Sequence, residues 1–252
     1  MNFDSHVHTT LSIDADTTMD EAIRQASKKG IGLVMTDHMD WDFPAPFPDF
    51  RVDLPRFFRE YGPLRSERVL LGIELGMTAD SIGKCREIAA AYPFDFVLGS
   101  VHVLGGREVD DSLYADCDEA IVYREYLLEA ARLVQAVECD ALAHIDYPLR
   151  TTSRELPFAE YAKEFAALFE VMHRRNVCLE LNTSRLAEQA AYDNLLAIYR
   201  SYRESGGRYV TLGSDAHEPR EIADNFSLAE VFLQETGLIP VHFFQRKMII
   251  DK

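Results

Sequence analysis

The sequence predicts an α/β fold in which parallel strands alternate with helices, and three observations carry the prediction. Short β-branched or aliphatic runs recur seven times along the 252 residues. Each is followed by a polar loop, and the loops lead into longer segments whose apolar residues fall at helical spacing. Strict alternation of this kind needs crossover connections, which make neighbouring strands parallel and right-handed. Seven units fit either an open doubly wound sheet or a closed barrel.

Taken in order, the first strand is expected at 2–5. Thr18-Met-Asp-Glu21 reads as a capping box that opens a helix closed by Gly30, and the second strand follows at 31–36. A helix at 53–61 precedes the third strand at 69–74, and a helix at 78–91 separates it from the fourth at 94–100. A helix at 118–137 leads to the fifth strand at 141–144. The helix at 158–175 stops at Asn176 before the sixth strand, 177–181, and the helix at 192–205 stops at Gly206 before the seventh, 209–212. A last helix is expected at 222–235.

Two connections exceed the usual two to six residues. Residues 38–52 carry Asp40, Trp41, Asp42, Phe43, Asp49 and Phe50, and residues 102–117 carry Glu108, Asp110 and Asp111. Loops of this composition are either lids or surface excursions. No repeat, low-complexity tract or linker interrupts the pattern, so one domain over 1–252 is expected.

Acidic residues number 42 against 26 basic ones, leaving a formal net charge of −16. Such a field repels phosphate backbones over a Debye length of about 10 Å, which argues against a nucleic-acid polymer or an anionic membrane as partner. Hydrophobic residues at 47% are ordinary for a globular chain. Cys85, Cys117, Cys139 and Cys178 are far apart with no C-x-x-C, which suits reduced thiols and excludes a thiol-rich zinc site. The first residues lack a basic flank and apolar run, and no stretch reaches the roughly 18 apolar residues of a membrane span, so a soluble cytoplasmic protein is expected. Nothing in the sequence sets the oligomeric state.

The positions of the histidines are the informative feature. Of eight, six follow directly on a predicted strand: His6 and His8, His38, His102, His144 and His217. Glu74 occupies the same place on the third strand, and Asp215 lies two residues before His217. In parallel α/β folds the C-terminal strand ends form the active face, so these side chains converge. Residues two apart in a strand share a side, so His6 and His8 can grip one ion. Six imidazoles with Asp14, Glu74 and Asp215 make nine ligands, enough for two or three ions of zinc, manganese or iron sharing a bridging carboxylate. His173, on a helix, and His242, in the tail, fall outside this set.

Asp4-Ser-His6-Val-His8, Thr36-Asp37-His38, Gly72-Ile-Glu74, Gly99-Ser-Val-His102, Ala143-His144 and Gly213-Ser-Asp215-Ala-His217 together resemble the polymerase and histidinol phosphatase superfamily, the metal-dependent phosphoesterases called PHP. The resemblance spans essentially the whole chain. It implies a distorted seven-stranded (β/α) barrel with a trinuclear metal site, the closed alternative. It further implies one ion on His6, His8, Glu74 and Asp215, a second on Glu74, His102 and His144, and a third on Asp14, His38 and His217. Some relatives carry histidine where this chain has Asp14. The compact chain and the segments Ala143-His-Ile-Asp-Tyr147 and Glu180-Leu-Asn-Thr-Ser184 look most like the stand-alone histidinol-phosphate phosphatases.

The activity this implies is hydrolysis of a phosphate monoester, L-histidinol phosphate, by attack of a metal-bridging hydroxide, with Asp215 or a metal-bound water protonating the leaving group. Arg185 and Arg150, just past the sixth and fifth strands, are expected to bind phosphate, and Asp37, Asp146 and Asn182 to orient ligand histidines. Trp41 or a nearby Phe is expected to stack on the imidazole, and Asp40, Asp42, Asp49, Asp110 and Asp111 to face the amine. A phosphodiesterase acting on a small nucleotide substrate is the competing enzyme reading. A non-catalytic metal-binding regulatory module is the reading from another class, and the intact set of nine ligands opposes it.

Overall fold

The computed structural model describes residues 2–44, 49–109 and 117–251. The strands are β1 (Phe3–Val7), β2 (Gly32–Met35), β3 (His38–Asp40), β4 (Val69–Gly76), β5 (Phe96–Ser100), β6 (Val103–Leu104), β7 (Arg107–Glu108), β8 (Ala141–Leu142), β9 (Cys178–Asn182), β10 (Tyr209–Gly213), β11 (Ile239–Phe244) and β12 (Lys247–Ile250). Between them run α1 (Met19–Lys29), α2 (Leu54–Tyr61), α3 (Ile82–Ala91), α4 (Glu119–Ala136), α5 (Ala162–Arg175), α6 (Gln189–Glu204) and α7 (Phe226–Thr236). The seven expected strands are β1, β2, β4, β5, β8, β9 and β10, and among the described residues they lie parallel in that order, with β11 and β12 added beyond β10 and β3 beside β4.

Among the described residues, the backbones of the two ends of the seven-stranded series hydrogen-bond at the rim. Asp215 N donates to His6 O and His8 N to Ala216 O, each at 2.9 Å, forming a single parallel bridge between Val7 and Ala216. The closure is therefore local to the C-terminal ends of β1 and β10, which is the distortion in the barrel.

Strand alternation sorts the core. In β4, Val69, Leu71, Ile73 and Leu75 pack outward against the helices, while Leu70 faces inward with Phe96 and Leu98 of β5. Phe3, Val241 and Phe243 complete that inner cluster, so the β11–β12 hairpin plugs one end of the barrel. Glu74 continues the inward side of β4 toward the other end. In β1 the register shifts between Asp4 and Val7, and this irregularity turns Phe3 inward and Val7 outward. A one-residue slip exchanges the faces of a strand, so the bulge is what presents both His6 and His8 to the interior.

Several boundaries differ from the sequence reading for local reasons. Thr78 and Ser81 bond each other's backbone, which delays α3 to Ile82. Residues 158–160 form a 3-10 turn before α5, and Pro219–Glu221 another before α7. α1 has the expected capping box and a left-handed Gly30 at φ 71°. The strands β3, β6, β7, β11 and β12 are additions to the sequence reading. Asp110 and Asp111 lie outside the described residues.

Candidate active site

The nine side chains singled out by position converge at the C-terminal mouth of the barrel. β3, too short to read from sequence, pairs with β4 so that His38 lies opposite Glu74. Asp215 leaves β10 in the left-handed region at φ 60°, strain of about 1–3 kcal/mol that the two rim hydrogen bonds hold in place. His6, His8 and Glu74 are completely buried, and Asp14 and His217 are the more open members.

Glu74 is the centre of the arrangement. Its Oε2 lies 3.5 Å from His6 Nε2 and 3.6 Å from His8 Nε2, and both nitrogens lie 3.2 Å from Asp215 Oδ1 and 3.0 Å from each other. A tetrahedral ion bound at 2.0–2.1 Å has ligand–ligand edges of about 3.3–3.4 Å, close to the spacings that His6 and His8 keep from Glu74 on one side and from Asp215 on the other. Glu74 Oε1 faces the other way, 3.2 Å from His102 Nε2 and 3.0 Å from His144 Nε2, which are 3.4 Å apart. Asp14 Oδ2 lies 3.4 Å from His38 Nε2 and 3.3 Å from His217 Nε2, a third and more exposed grouping. Glu74 Oε2 is buried without a hydrogen-bond partner among the described residues. A buried carboxylate oxygen ringed by imidazole nitrogens, with His38 Nδ1 the nearest at 2.8 Å, fits a cation, and four groups, His6–His8–Glu74, His6–His144–Asp215, His38–Glu74–His102 and His8–His38–His217, are each able to hold a metal ion.

Behind the ligands stands a layer of hydrogen bonds. His6 Nδ1 meets Glu180 Oε1 at 2.8 Å, and Glu180 Oε2 accepts from His144 N at 2.8 Å and from Asn182 Nδ2 at 3.2 Å. His102 Nδ1 meets Asp40 Oδ1 at 2.7 Å. Asp37 accepts from Thr9 N, Thr9 Oγ1 and Ser12 Oγ, and Ser12 Oγ in turn lies 3.4 Å from His8 Nδ1. These contacts fix ring tautomers and orientation. Glu180 and the role of Asp40 were not read from the sequence. The available signal for Glu180 was a carboxylate set in an otherwise apolar strand.

Electrostatics follow from the crowding. Burial and the neighbouring His38 and His217 hold His8 well below its ordinary pKa, in the neutral form that ligates. Burial opposes charge on His6, but Asp215, Glu180 and Glu74 outweigh it and raise its pKa well above normal. Burial likewise opposes charge on Glu74 and Asp215, yet the surrounding imidazoles, with Arg150 in the case of Asp215, keep both well below the usual carboxylate range. Without ions the cluster balances its carboxylates with protons on imidazole, and metal binding displaces those protons.

The cluster floors a cavity of about 230 Å³ walled by Phe43, Phe50, Glu108, Tyr147 and Arg150. Arg150 Nη2 donates to Asp215 Oδ2 at 2.8 Å, and the guanidinium lies 5.1 Å from the centre of the Tyr147 ring. Arg185, expected beside it, is not brought into the cavity: Nη1 donates to Asp146 Oδ2 at 3.0 Å and Nη2 to Glu155 Oε2 at 2.6 Å. Asp146 therefore pairs with Arg185 rather than with a ligand histidine. Trp41 packs against the outer core, and Asp42, at φ 63°, turns away to accept from Thr78 Oγ1. Asp49 pairs with Arg51. From the same long loops the chain presents Phe43, Phe50 and Glu108 to the cavity instead.

Residues 4–184 match the PHP domain model. A probable histidinol-phosphatase of Clostridium acetobutylicum is 35% identical, covering 98% of this chain and 99% of its own. The histidinol-phosphatase of Lactococcus lactis is 28% identical over 99% of this chain and 96% of its own. Among solved structures, the Lactococcus lactis histidinol phosphate phosphatase complexed with zinc, L-histidinol and phosphate superposes with a TM-score of 0.91 at 26% identity, covering 100% of this chain and 99% of that one. With the seven parallel strands and the nine convergent side chains, these matches establish that the chain belongs to the PHP domain family.

Proposed function

We propose that the protein is a metal-dependent phosphatase that hydrolyses L-histidinol phosphate to L-histidinol and inorganic phosphate, a step of histidine biosynthesis. The observation that carries the reading is Glu74, a buried carboxylate whose two oxygens face two separate sets of imidazoles at the floor of a cavity walled by one arginine and several aromatic rings. The match in length and fold to histidinol-phosphatases supports it.

Two to three divalent ions, zinc by analogy with the Lactococcus protein or else manganese or iron, would be held by His6, His8, Glu74 and Asp215, by Glu74, His102 and His144, and by Asp14, His38 and His217, the grouping that the family resemblance implies. When bound, such ions supply an activated water for in-line attack on phosphorus and neutralise the phosphoryl oxygens.

The chain's own residues set up that reaction. Arg150 binds the phosphate, its fork held over the floor by Asp215 and its plane by Tyr147. Asp215 stays anionic, which suits a ligand and an anchor for Arg150 better than a proton donor. Phe43, Phe50 and Tyr147 offer rings to an imidazole, and Glu108 a carboxylate to the substrate's cationic amine.

Phosphate release from L-histidinol phosphate, an aryl phosphate and an aryl phosphodiester by the zinc- or manganese-supplemented protein tests the reading. A kcat/KM for histidinol phosphate exceeding the other two by about a hundredfold or more is expected, since substrate groups that pair with buried polar groups discriminate on that scale. Equal slow turnover of all three, or faster diester cleavage, would overturn it.

A further inference from the structure

Arg150 is paired with one carboxylate and has a second, Asp146, at the start of its own turn. It donates from Nη2 to Asp215 Oδ2 at 2.8 Å and to Ser184 Oγ at 3.4 Å, which directs it over the cavity floor. Asp146 begins the same 3-10 turn, Tyr147–Arg150, and its charge also acts on the Arg150 guanidinium. Asp146 is 3% exposed, so it cannot meet its need for a partner from solvent.

Arg185 supplies that partner. One arm of its fork holds Asp146, and the other holds Glu155, whose second oxygen accepts from Asn194 Nδ2 at 2.8 Å. Asn194 is itself tied to Phe158 N and Leu156 O, so the anchor is rigid on its far side. A buried carboxylate stripped of its cation costs several kcal/mol and recruits whatever cation its surroundings offer. Around Asp146 that cation is Arg150.

We propose that Arg185 is a positioning residue for phosphate binding: by occupying Asp146 it leaves Arg150 directed at Asp215 and at the phosphate of the substrate. The proposal rests on the reading of Arg150 as the phosphate ligand. It also accounts for an arginine next to the site that never reaches the cavity. A lysine would not serve equally, because only a planar fork reaches two carboxylates from one stem.

The test measures metal content, KM and kcat on L-histidinol phosphate, and inhibition by inorganic phosphate, for four variants of the full chain. Arg185→Met is expected to keep its metal and to weaken phosphate inhibition and KM by about tenfold or more, with a smaller change in kcat. Arg185→Met combined with Asp146→Asn is expected to recover most of that loss, since no competing charge remains to capture Arg150. Asp146→Asn alone is expected to leave phosphate inhibition within about threefold of the parent, since Asn keeps an oxygen for Arg185 Nη1 and removes the charge that would capture Arg150. A purely structural role for the Arg185–Asp146 pair gives the opposite pattern: Asp146→Asn as damaging as Arg185→Met, and no recovery in the double variant. Either result overturns the proposal, as does unchanged phosphate inhibition in Arg185→Met. Arg150→Met separates the two readings, because undiminished phosphate inhibition there removes Arg150 from phosphate binding and the proposal with it.

Discussion

Glu180→Gln isolates what the layer behind the ligands contributes. Glu180 is completely buried, takes the His6 Nδ1 contact on one oxygen and the His144 and Asn182 donors on the other. Glutamine keeps one acceptor, so its amide NH2 must face either His6 Nδ1–H or the His144 amide, donor against donor. Losing one charge-assisted hydrogen bond costs about 1.5–3 kcal/mol, which agrees with the 10- to 100-fold loss of metal affinity typical when such an outer partner is removed. The expected result of zinc titration against a competing chelator is therefore a 10- to 100-fold weakening of the ion held with His6. The more exposed Asp14, His38 and His217 grouping is expected to keep its affinity, since Glu180 makes no contact there. Zinc binding within about twofold of the parent at every position, no more than the scatter between tolerated substitutions, would refute the reasoning.

Other consequences can be checked separately. At Gly76 a Cβ would sit 1.8 Å from Asp40 Oδ1, so Gly76→Ala is expected to push Asp40 off His102 and weaken the ion of the Glu74, His102 and His144 grouping by about tenfold; metal analysis after dialysis checks this. Arg246 pairs with Asp140 and closes the turn of the β11–β12 hairpin, so Arg246→Ala is expected to lower stability by about 2 kcal/mol in denaturant unfolding while leaving turnover of the metal-loaded protein intact. In the metal-free protein, Asp40 and Glu74 raise His102 from 6.5 to about 10 against the effect of burial. A raised histidine contributes stability below pH 6.5 that is lost as pH climbs toward 10. Thermal melts of the metal-free protein should therefore fall across that window, and those of the loaded protein, whose histidines carry no proton at the ligating nitrogen, should stay level; parallel curves would contradict this.

The convergence of the candidate ligands is legible because a parallel α/β chain places strand ends together, so histidines that immediately follow strands need no contact information to be grouped. Alternation puts His6 and His8 on one side of β1, but which side that is depends on a register shift that no periodicity announces. Glu180 lies two strands from His6 along the fold and 174 residues away in sequence, and such pairings are invisible locally. The two arginines looked alike as sequence. What separates them is that Asp146 and Glu155, 39 and 30 residues before Arg185, claim its fork, while Arg150 is left facing Asp215. Trp41 and Asp42 lie off the cavity for a backbone reason: Asp42 takes a left-handed turn beside Phe43, while Phe50 reaches the wall by accepting from Asp40 N.

The central claim is that one carboxylate, Glu74, joins separate metal positions into a single phosphatase centre. Metal content and phosphate release from L-histidinol phosphate, measured on the same samples of the parent and of Glu74→Gln, test it most directly. The account expects roughly two to three ions per parent chain, and in the variant the loss of at least one ion together with a fall in kcat of about a thousandfold or more, the scale of several kcal/mol of lost charge stabilisation. A Glu74→Gln protein that keeps its full metal complement and turns over within about tenfold of the parent, little more than 1 kcal/mol, would contradict it.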